Sequence, residues 1–301
     1  MQNNARAMVL ASFTADSLAL GVHWIYDASK IANEYGRVET YIKPKESSYH
    51  PTKDKGDFTH YGDQQLVLLE SVARKRGFDL NDFSQHWQGF FQNYNGYFDA
   101  ATKGTLRNFS KGKDPQNSGS PSNDLAGACR IAPLVLCYPN DLDELVETAK
   151  VQTRMTHRDP LTVRCSEFFA RSAWKSLRGI PPAEAVTEVA QETFPETIIA
   201  EWVAEGLESK SMDSISAIGS FGQSCHTSDA FPGVIHLIAK YENDLREGLI
   251  QSVMAGGDNA ARGMAVGMIL GAYLGEEHLP EPWVTELKKG KEIQDLFSQI
   301  G

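Results

Sequence analysis

The chain has 301 residues, of which 41% are hydrophobic and 23% are charged, and its formal net charge is −10. A chain of this length and composition can bury a core without disulfides or metals to hold it together. The acidic residues are spread along the sequence and no block of Lys or Arg occurs, which argues against nucleic acid or an anionic membrane as the main partner.

Sequence signals for disulfides, a signal peptide or a membrane span are weak. The cysteines Cys129, Cys137, Cys165 and Cys225 show no C-x-x-C spacing, so we interpret them as reduced core thiols. Asp16 interrupts the N-terminal apolar stretch, which does not resemble a signal peptide. The longest uncharged apolar run, residues 264–275, is too short to span a bilayer. We therefore expect a cytoplasmic protein.

Helical periodicity dominates from end to end, and strand alternation is absent. The pattern predicts an all-α protein forming one domain over residues 1–301. Helices are predicted, in chain order, over residues 5–20, from residue 63, over 81–94, over 125–138 with a kink at Pro133, over 141–155, over 159–177, from Pro181, from Pro195, from Phe231-Pro232, and from 258 to 275.

Small residues recur every four positions in the first and last of these helices. The first has alanines at 7, 11, 15 and 19, and the last has glycines at 263, 267, 271 and 275. Each glycine inside a helix costs roughly 0.5–1 kcal/mol relative to alanine. Such a stripe therefore indicates close helix packing in the core.

Two polar stretches interrupt the helical pattern, at residues 43–62 and 110–124. The first contains both His50 and His60. Long loops in a compact domain often form binding loops or lids, and they are equally often mobile surface loops. The sequence leaves both readings open.

Two aspartates at predicted helix starts are candidates for catalysis or metal binding. Asp63 precedes an apolar stripe, where free N–H groups and the helix dipole favour an anion, although a plain N-cap explains it equally well. Asp258 follows Gly256-Gly257, and Arg262 stands four residues later. The two could point together into a cleft or form an ordinary intrahelical ion pair.

Several further residues are candidates for substrate binding. The segment from Asn123 and Asp124 to Gly127 and Arg130 has the small-residue first turn and guanidinium that suit an anion, although many ordinary helices begin this way. His157 lies between two helices, where a structural role is the commoner use.

The remaining candidates flank the two aspartates in the sequence. His60 and Tyr61 precede Asp63, and Asp16 lies in an apolar helix, where a buried carboxylate needs partners. Trp24 belongs to a His-Trp-Ile-Tyr-Asp run that is suited to stacking on a base or sugar, or to core packing.

The order of these motifs resembles the ADP-ribosylglycohydrolase family over nearly the whole chain. The matching segments are Ala15-Asp16-Ser17-Leu18-Ala19, Tyr61-Gly62-Asp63-Gln64-Gln65, residues 124–133, Thr156 to Pro160, and Gly256-Gly257-Asp258-Asn259-Ala260-Ala261. The details look closest to the J1-crystallin-like branch. The resemblance implies an orthogonal multi-helix bundle, and it adds Gln64 and Asn259 to the candidate substrate-binding residues.

The same resemblance bears on metal content. Active members hold two magnesium ions with a Thr-Asp-Asp and an Asp-x-Asp-Thr motif. Here the first keeps only Asp63, and the second keeps Asp258 but has Ala260 and Ala261. Two carboxylates are too few hard oxygen ligands for a binuclear site. We therefore expect magnesium to be weakly bound or absent, with Asp63 and Asp258 as its ligands if any is retained.

The loss of metal ligands suggests a hypothesis for Arg262. Its fixed charge could occupy the space of the metals and neutralise both Asp63 and Asp258. The resemblance implies hydrolysis of an N- or O-glycosidic bond in an ADP-ribosyl or related ribosyl substrate, small or protein-linked, with Asp63 and Asp258 as the catalytic carboxylates. The alternative is a catalytically inactive, crystallin-like binding or structural protein.

Overall fold

A computed structural model describes residues 2–300, and within them α-helices account for all regular secondary structure apart from short 3₁₀ turns and two isolated β-bridges. The α-helices are α1 (Gln2–Ala19), α2 (Ala28–Tyr35), α3 (His60–Lys75), α4 (Leu80–Gln92), α5 (Ala100–Ser110), α6 (Ala126–Cys129), α7 (Ala132–Cys137), α8 (Leu142–Thr156), α9 (Pro160–Ser176), α10 (Pro182–Thr193), α11 (Ile198–Glu208), α12 (Ser214–Phe221), α13 (Thr227–Lys240), α14 (Leu245–Met254), α15 (Asn259–Leu274), α16 (Glu281–Thr285) and α17 (Gly290–Ile300). The 3₁₀ helices are Leu20–Val22, Ser209–Ser211 and Glu276–His278. The predicted all-α class is confirmed.

Helices α1 and α15 pack along their length and form the centre of the bundle. A Cβ at Gly267 would lie 2.5 Å from the carbonyl oxygen of Ala11, and one at Gly271 would lie 2.8 Å from Ala11 Cβ. Only glycine allows so close an approach. The small-residue stripes in the sequence therefore bring the two helices together, as expected.

The helix α1 continues into the turn Leu20–Val22, and this 21-residue segment is long and apolar enough to cross a membrane by length and composition. In the bundle, however, 94% of the relevant stretch is buried against other parts of the protein. The segment is a core helix here, which explains its lack of a polar face.

Proline positions account for two differences from the predicted helices. The predicted helix over 125–138 is instead two short helices, α6 and α7, with Pro133 in the first turn of α7. The proline ring clashes with the carbonyl four residues earlier, at Cys129, where α6 ends. The helix predicted to begin at Phe231-Pro232 begins earlier, at Thr227, so Pro232 lies inside α13. The hydrogen bond lost there involves the carbonyl of exposed Ser228, which solvent can satisfy.

The helix that carries Asp63 also begins earlier than predicted. Thr59 is the N-cap of α3, and its side chain accepts a hydrogen bond from the Tyr61 amide. Asp63 is therefore in the first turn rather than at the cap. Asp258, in contrast, is the N-cap of α15, with its Oδ1 accepting from the Ala261 amide at 3.5 Å.

Candidate functional site

The segment after α1 and the loop before α15 meet at one end of the central helix pair. The Trp24 amide donates to the Gly257 carbonyl (3.0 Å), and the Gly257 amide donates to the Ile25 carbonyl (2.8 Å). Trp24 has a left-handed backbone, with φ of 63°, which is unfavourable for an aromatic residue and is typical of functional sites. A side chain at Gly257 would strike the carbonyl oxygen of Gln223 at 2.2 Å. This pairing fixes Trp24 beside Asp258.

A row of buried polar side chains begins at Asp258. Its Oδ1 lies 3.0 Å from His23 Nε2, and His23 Nδ1 lies 2.9 Å from His50 Nε2. All three residues are buried. Burial lowers the pKa values of His23 and His50 below the ordinary value for histidine. The row therefore holds two neutral imidazoles beside the side chain of Asp258.

A second carboxylate lies close to Asp258. The Tyr61 hydroxyl lies 3.3 Å from Asp124 Oδ2 and 3.3 Å from Asp258 Oδ2, so it bridges the two acids. One oxygen of each acid and the sulfur of Cys225 lie within 4.8 Å of one another. Burial, followed by the negative charge of Asp258, raises the pKa of Asp124 well above its ordinary value. The protonated form of Asp124 is therefore favoured relative to a solvated aspartate.

Aromatic side chains lie against the row of buried polar residues. Trp24 stacks on His23, with ring centroids 4.3 Å apart, and contacts the rings of Tyr49 and Tyr97 edge to face. Tyr26 and Tyr49 are about half exposed. Burial and the charge of Asp258 raise the pKa of Tyr26 to about 12, so its hydroxyl stays protonated. The rim can stack on a sugar or base.

A cavity of about 350 Å³ opens beside Trp24 and Tyr49. Its lining contains two cations, Lys30 and Lys45, and one acid, Glu34. Lys45 Nζ lies 2.6 Å from Glu34 Oε2, while Lys30 Nζ is 4.0 Å from the other oxygen. The lining therefore has an excess of positive charge in a protein that is acidic overall, which suits an anionic ligand.

Asp63 lies in a different environment from Asp258. Its Oδ2 accepts from Lys53 Nζ at 2.5 Å and from the Tyr94 hydroxyl at 2.6 Å. Burial raises the pKa of Asp63, and the charge of Lys53 opposes that rise. Asp63 thus has a cationic partner from the 43–62 loop, which sequence reasoning did not identify.

Asp16 explains why position 62 is a glycine. Asp16 accepts from the Thr59 amide (2.8 Å), the Thr59 hydroxyl (2.5 Å) and the Gly62 amide (3.3 Å). A Cβ at Gly62 would lie 2.4 Å from Asp16 Oδ2. The space for a second carboxylate beside Asp63 is therefore filled by Asp16, whose pKa burial raises to about 7.

The hypothesis that Arg262 neutralises Asp63 and Asp258 is wrong. Within residues 2–300, Arg262 makes no ion pair with either aspartate, and its Nη2 donates to the carbonyls of Ser252 (2.7 Å) and Gly256 (2.6 Å). Burial lowers the pKa of Arg262 to about 10, opposed by the charge of Asp258. The guanidinium fixes the turn before α15, because two carbonyls converge on it.

The other predicted substrate-binding residues of the 123–130 segment separate in the structure. Asn123 is exposed and its Oδ1 lies 2.7 Å from His226 Nδ1, whereas Arg130 is buried and donates to the Thr156 hydroxyl at 2.8 Å. A Cβ at Gly127 would lie 2.6 Å from the His157 ring, so His157 fills the space at this glycine. Only Asp124 of this segment joins the acid pair.

Three other predicted substrate-binding residues are buried and contact neighbouring protein groups: His157, Gln64 and Asn259. His157 Nδ1 lies 2.8 Å from the Thr156 hydroxyl, and burial lowers the pKa of the imidazole to about 3. Gln64 accepts from Trp87 Nε1 at 2.9 Å and donates to the His60 carbonyl, and Asn259 donates to the Val253 carbonyl at 3.2 Å. Each of the three side chains is therefore held by at least one hydrogen bond within the protein.

His60 lies next to the row of polar side chains without joining it. Its ring is 5.5 Å from that of His50, and its Nε2 lies 3.4 Å from Asp99 Oδ2. Burial alone would raise the pKa of Asp99, but its contact with His60 lowers it below the ordinary value. Sequence reasoning missed His50, Cys225 and Asp99 as site residues, although the polar 43–62 loop did contain His50.

These features define an all-helical protein with two buried acids and a histidine row beneath an aromatic rim. A family model described as ADP-ribosylglycohydrolase matches residues 1–300. The chain belongs to the ADP-ribosylglycohydrolase family, as its motifs predicted.

Relatives agree with this assignment. The chain is 23% identical to Crystallin J1A of Tripedalia cystophora, over 99% of this chain and 96% of the relative. It is 22% identical to the ADP-ribosylhydrolase ARH3 of Mus musculus, over 92% of this chain and 85% of the relative. A solved structure titled "ADP-ribosylglycohydrolase-related protein complex" matches with a TM-score of 0.77 and 22% identity, over 99% of this chain and 97% of the other, which confirms the fold.

The family is typically metal-dependent, so the fit of Asp63 and Asp258 to magnesium matters. Magnesium takes oxygen ligands in near-octahedral geometry. Asp63 is already paired with Lys53, both oxygens of Asp16 accept protein hydrogen bonds, and Asp258 faces His23. This arrangement does not fit a binuclear magnesium site. Among the described residues, His23, His50 and His60 form one group able to hold a metal ion, and Asp124, Cys225 and Asp258 form another.

Proposed function

We propose that the protein hydrolyses the glycosidic bond of an ADP-ribosyl or related ribosyl group, carried by a small molecule or a protein. The observation that carries this proposal is the pair of buried acids, Asp124 and Asp258, bridged by the Tyr61 hydroxyl beside the rings of His23 and Trp24. Family membership supports a glycohydrolase-type activity.

The two acids are suited to different roles. Burial and the charge of Asp258 raise the pKa of Asp124, which favours its protonated form, so we assign Asp124 as the general acid on the leaving-group atom. Asp258, oriented by His23 at 3.0 Å, takes a proton from the attacking water. Water adds to the anomeric carbon, the glycosidic bond breaks, and the proton from Asp124 stays with the leaving group. This assignment replaces Asp63, whose partner is Lys53, with Asp124.

The surroundings suit an ADP-ribosyl group. Trp24, Tyr49 and Tyr97 offer faces and edges for a base or ribose, and the excess positive charge of the cavity lining favours a diphosphate. Hydrolysis by two carboxylates and water needs no metal, so we expect activity in the presence of a chelator.

The test is release of free ADP-ribose from peptides ADP-ribosylated on serine or on arginine, and of ribose from ribonucleosides, in EDTA. We expect turnover of at least one substrate, and a loss of about 10²–10⁴-fold in kcat/KM for Asp124→Asn. Asp114→Asn, at an exposed loop position, is the matched control and should behave as wild type. An Asp124→Asn variant as fast as wild type would exclude this acid.

A second candidate is a ligand-binding or structural protein without turnover. The similarity to Crystallin J1A over nearly the whole of both chains favours it. It predicts that ADP-ribose raises the melting temperature, because a ligand of the native state stabilises by RT ln(1 + [L]/Kd), while none of the tested glycosides is cleaved. Cleavage that depends on Asp124 would contradict it.

A further inference from the structure

Three histidines from different parts of the chain meet beneath the aromatic rim. His23 follows α1, His50 lies in the 43–62 loop, and His60 is the first residue of α3. All three are buried, and one ring nitrogen from each lies within 4.8 Å of the other two. Buried histidines ordinarily have their ring nitrogens satisfied by hydrogen bonds.

The hydrogen bonds of this group are incomplete. His50 Nδ1 and both ring nitrogens of His60 are buried without a hydrogen-bond partner within residues 2–300. Leaving a buried polar atom unpaired costs about 1–3 kcal/mol. His60 Nε2 lies 3.4 Å from Asp99 Oδ2, but His60 Nδ1 has no such neighbour among the described residues and calls for a binding partner. A hydrogen-bonded histidine row accounts for His23 but not for these atoms.

The outer contacts have the arrangement found around metal-ligating imidazoles. His23 Nε2 lies 3.0 Å from Asp258 Oδ1, and His60 Nε2 lies 3.4 Å from Asp99 Oδ2. A histidine that binds a metal through one nitrogen usually donates its other N–H to a carboxylate, which fixes the tautomer. The contacts to Asp258 and Asp99 therefore leave His60 Nδ1 unpaired within residues 2–300 and His23 Nδ1 in contact with His50 Nε2, and both nitrogens can turn to a cation.

We propose that His23, His50 and His60 form a binding site for one borderline-soft divalent transition metal, of which zinc is the reference ion. Imidazole nitrogens are ligands that zinc accepts and magnesium does not favour. This site is distinct from the carboxylate motifs of the family, because none of its three ligands is an oxygen. The carboxylates of Asp258 and Asp99 contact His23 and His60 from outside the site and supply negative charge there.

The distances require only side-chain adjustment. Zinc–nitrogen bonds of about 2.0–2.1 Å in a tetrahedron place the ligand nitrogens roughly 3.3–3.4 Å apart. His23 Nδ1 and His50 Nε2, now 2.9 Å apart, would separate slightly, and His60 would move toward them. The rings of Trp24 and Tyr97 lie 5.4 Å and 5.3 Å from that of His60, and a water molecule would complete the tetrahedron.

The experiment uses the full chain without a histidine tag, stripped with EDTA and dialysed free of chelator. Titration with zinc chloride in a calorimeter should give one site per chain. Substituting cobalt(II) should give the visible absorption of a tetrahedral nitrogen-bound ion, without the near-ultraviolet band of a cobalt–thiolate bond. The cobalt spectrum tests the ligands without any substitution.

Variants locate the site. His50→Ala and His60→Ala should abolish stoichiometric zinc binding, and Asp99→Asn should weaken it about 10–100-fold. His278→Ala, at an exposed histidine, is the matched control and should bind as wild type. Circular dichroism checks that each variant is folded.

The competing location is the group formed by Asp124, Cys225 and Asp258. Loss of zinc binding in Cys225→Ser, with a cobalt–thiolate band in the wild type, would overturn the proposal. So would an absence of stoichiometric binding by the wild type. Because the readout is metal binding, these results stand apart from whether any glycoside is cleaved.

Discussion

Asp63 and Asp258 occupy corresponding positions in the sequence, each at the start of a helix and each the remnant of a motif rich in acids, but their surroundings are opposite. Asp63 is paired with a cation, Lys53, and sits beside Asp16. Asp258 forms no ion pair with a lysine or arginine among the described residues; it contacts the neutral imidazole of His23 and faces a second acid, Asp124, across Tyr61. The negative charge of Asp63 is neutralised by Lys53, whereas Asp258 has a second acidic group, Asp124, close beside it.

The comparison teaches that equivalent motif positions need not keep equivalent roles. Neutralisation by Lys53 makes the Asp63 region part of the scaffold, since a paired carboxylate is a poor base and a poor metal ligand. Concentration of charge at Asp258 shifts protons onto Asp124 and is typical of a reactive site. The predictions below test that division, from the largest expected effect to the smallest.

The Asp63 region should make stability depend on pH through Asp16. Burial raises the pKa of Asp16 from 3.8 to about 7 in the folded protein, so the folded state binds the proton more tightly than the unfolded state. The free energy of unfolding should therefore fall as pH rises from about 4 to about 7, by roughly 2–4 kcal/mol. Asp16→Asn should flatten this slope in urea titrations, and Asp114→Asn should keep it.

Removing the cation should destabilise the Asp63 region. Lys53→Met leaves the Asp63 carboxylate largely buried without its charged partner, and we expect a loss of about 1.5–3 kcal/mol in the free energy of unfolding. Adding Asp63→Asn should restore part of that loss. The exposed Lys55→Met, measured by the same denaturation, should change stability by less than about 0.5 kcal/mol. Equal losses for the two lysines would remove the case for neutralisation.

The acid pair should depend on the hydroxyl that bridges it. Tyr61→Phe removes a donor from two buried carboxyl groups and should lower the free energy of unfolding by about 1–2 kcal/mol. Tyr273→Phe is the control, because its hydroxyl has no hydrogen-bond partner within residues 2–300. A Tyr61→Phe variant as stable as Tyr273→Phe would mean that the hydroxyl does not hold the acids together.

The smallest effect concerns the rim. Trp24→Ala should raise KM for a ribosyl substrate about twofold to tenfold with little change in kcat, because a stacking contact contributes about 0.5–1.5 kcal/mol to binding. Trp174→Ala alters a tryptophan that contacts Arg178 rather than the rim, and it should leave KM unchanged. A fall in kcat with constant KM would place Trp24 in the chemical step instead.

The sequence predicted the fold well because the fold depends on local patterns. The alanine and glycine stripes led directly to the packing of α1 against α15, and Asp159-Pro160 correctly marked the start of α9. The prolines were harder to interpret. Pro232 was expected to begin a helix, but it lies inside α13. The sequence alone does not distinguish a proline in the first turn of a helix from one tolerated in its interior.

The site was less predictable because its contacts join residues far apart in the chain. The partner of Asp63 proved to be Lys53 from a loop rather than Arg262, and the partner of Asp258 proved to be His23, 235 positions away. Spacing within a helix suggested Arg262 next to Asp258, but two backbone carbonyls compete for its guanidinium. Such competition is decided by tertiary packing and leaves no local signal.

The most direct test of the account is kcat/KM for Asp258→Asn and Asp63→Asn, measured side by side in EDTA on the best ribosyl substrate. We predict that Asp258→Asn loses about 10²–10⁴-fold, because the general base is gone, while Asp63→Asn stays within about tenfold of wild type. The opposite result, with Asp63→Asn inactive and Asp258→Asn active, would contradict the assignment of catalysis to the Asp124–Asp258 pair.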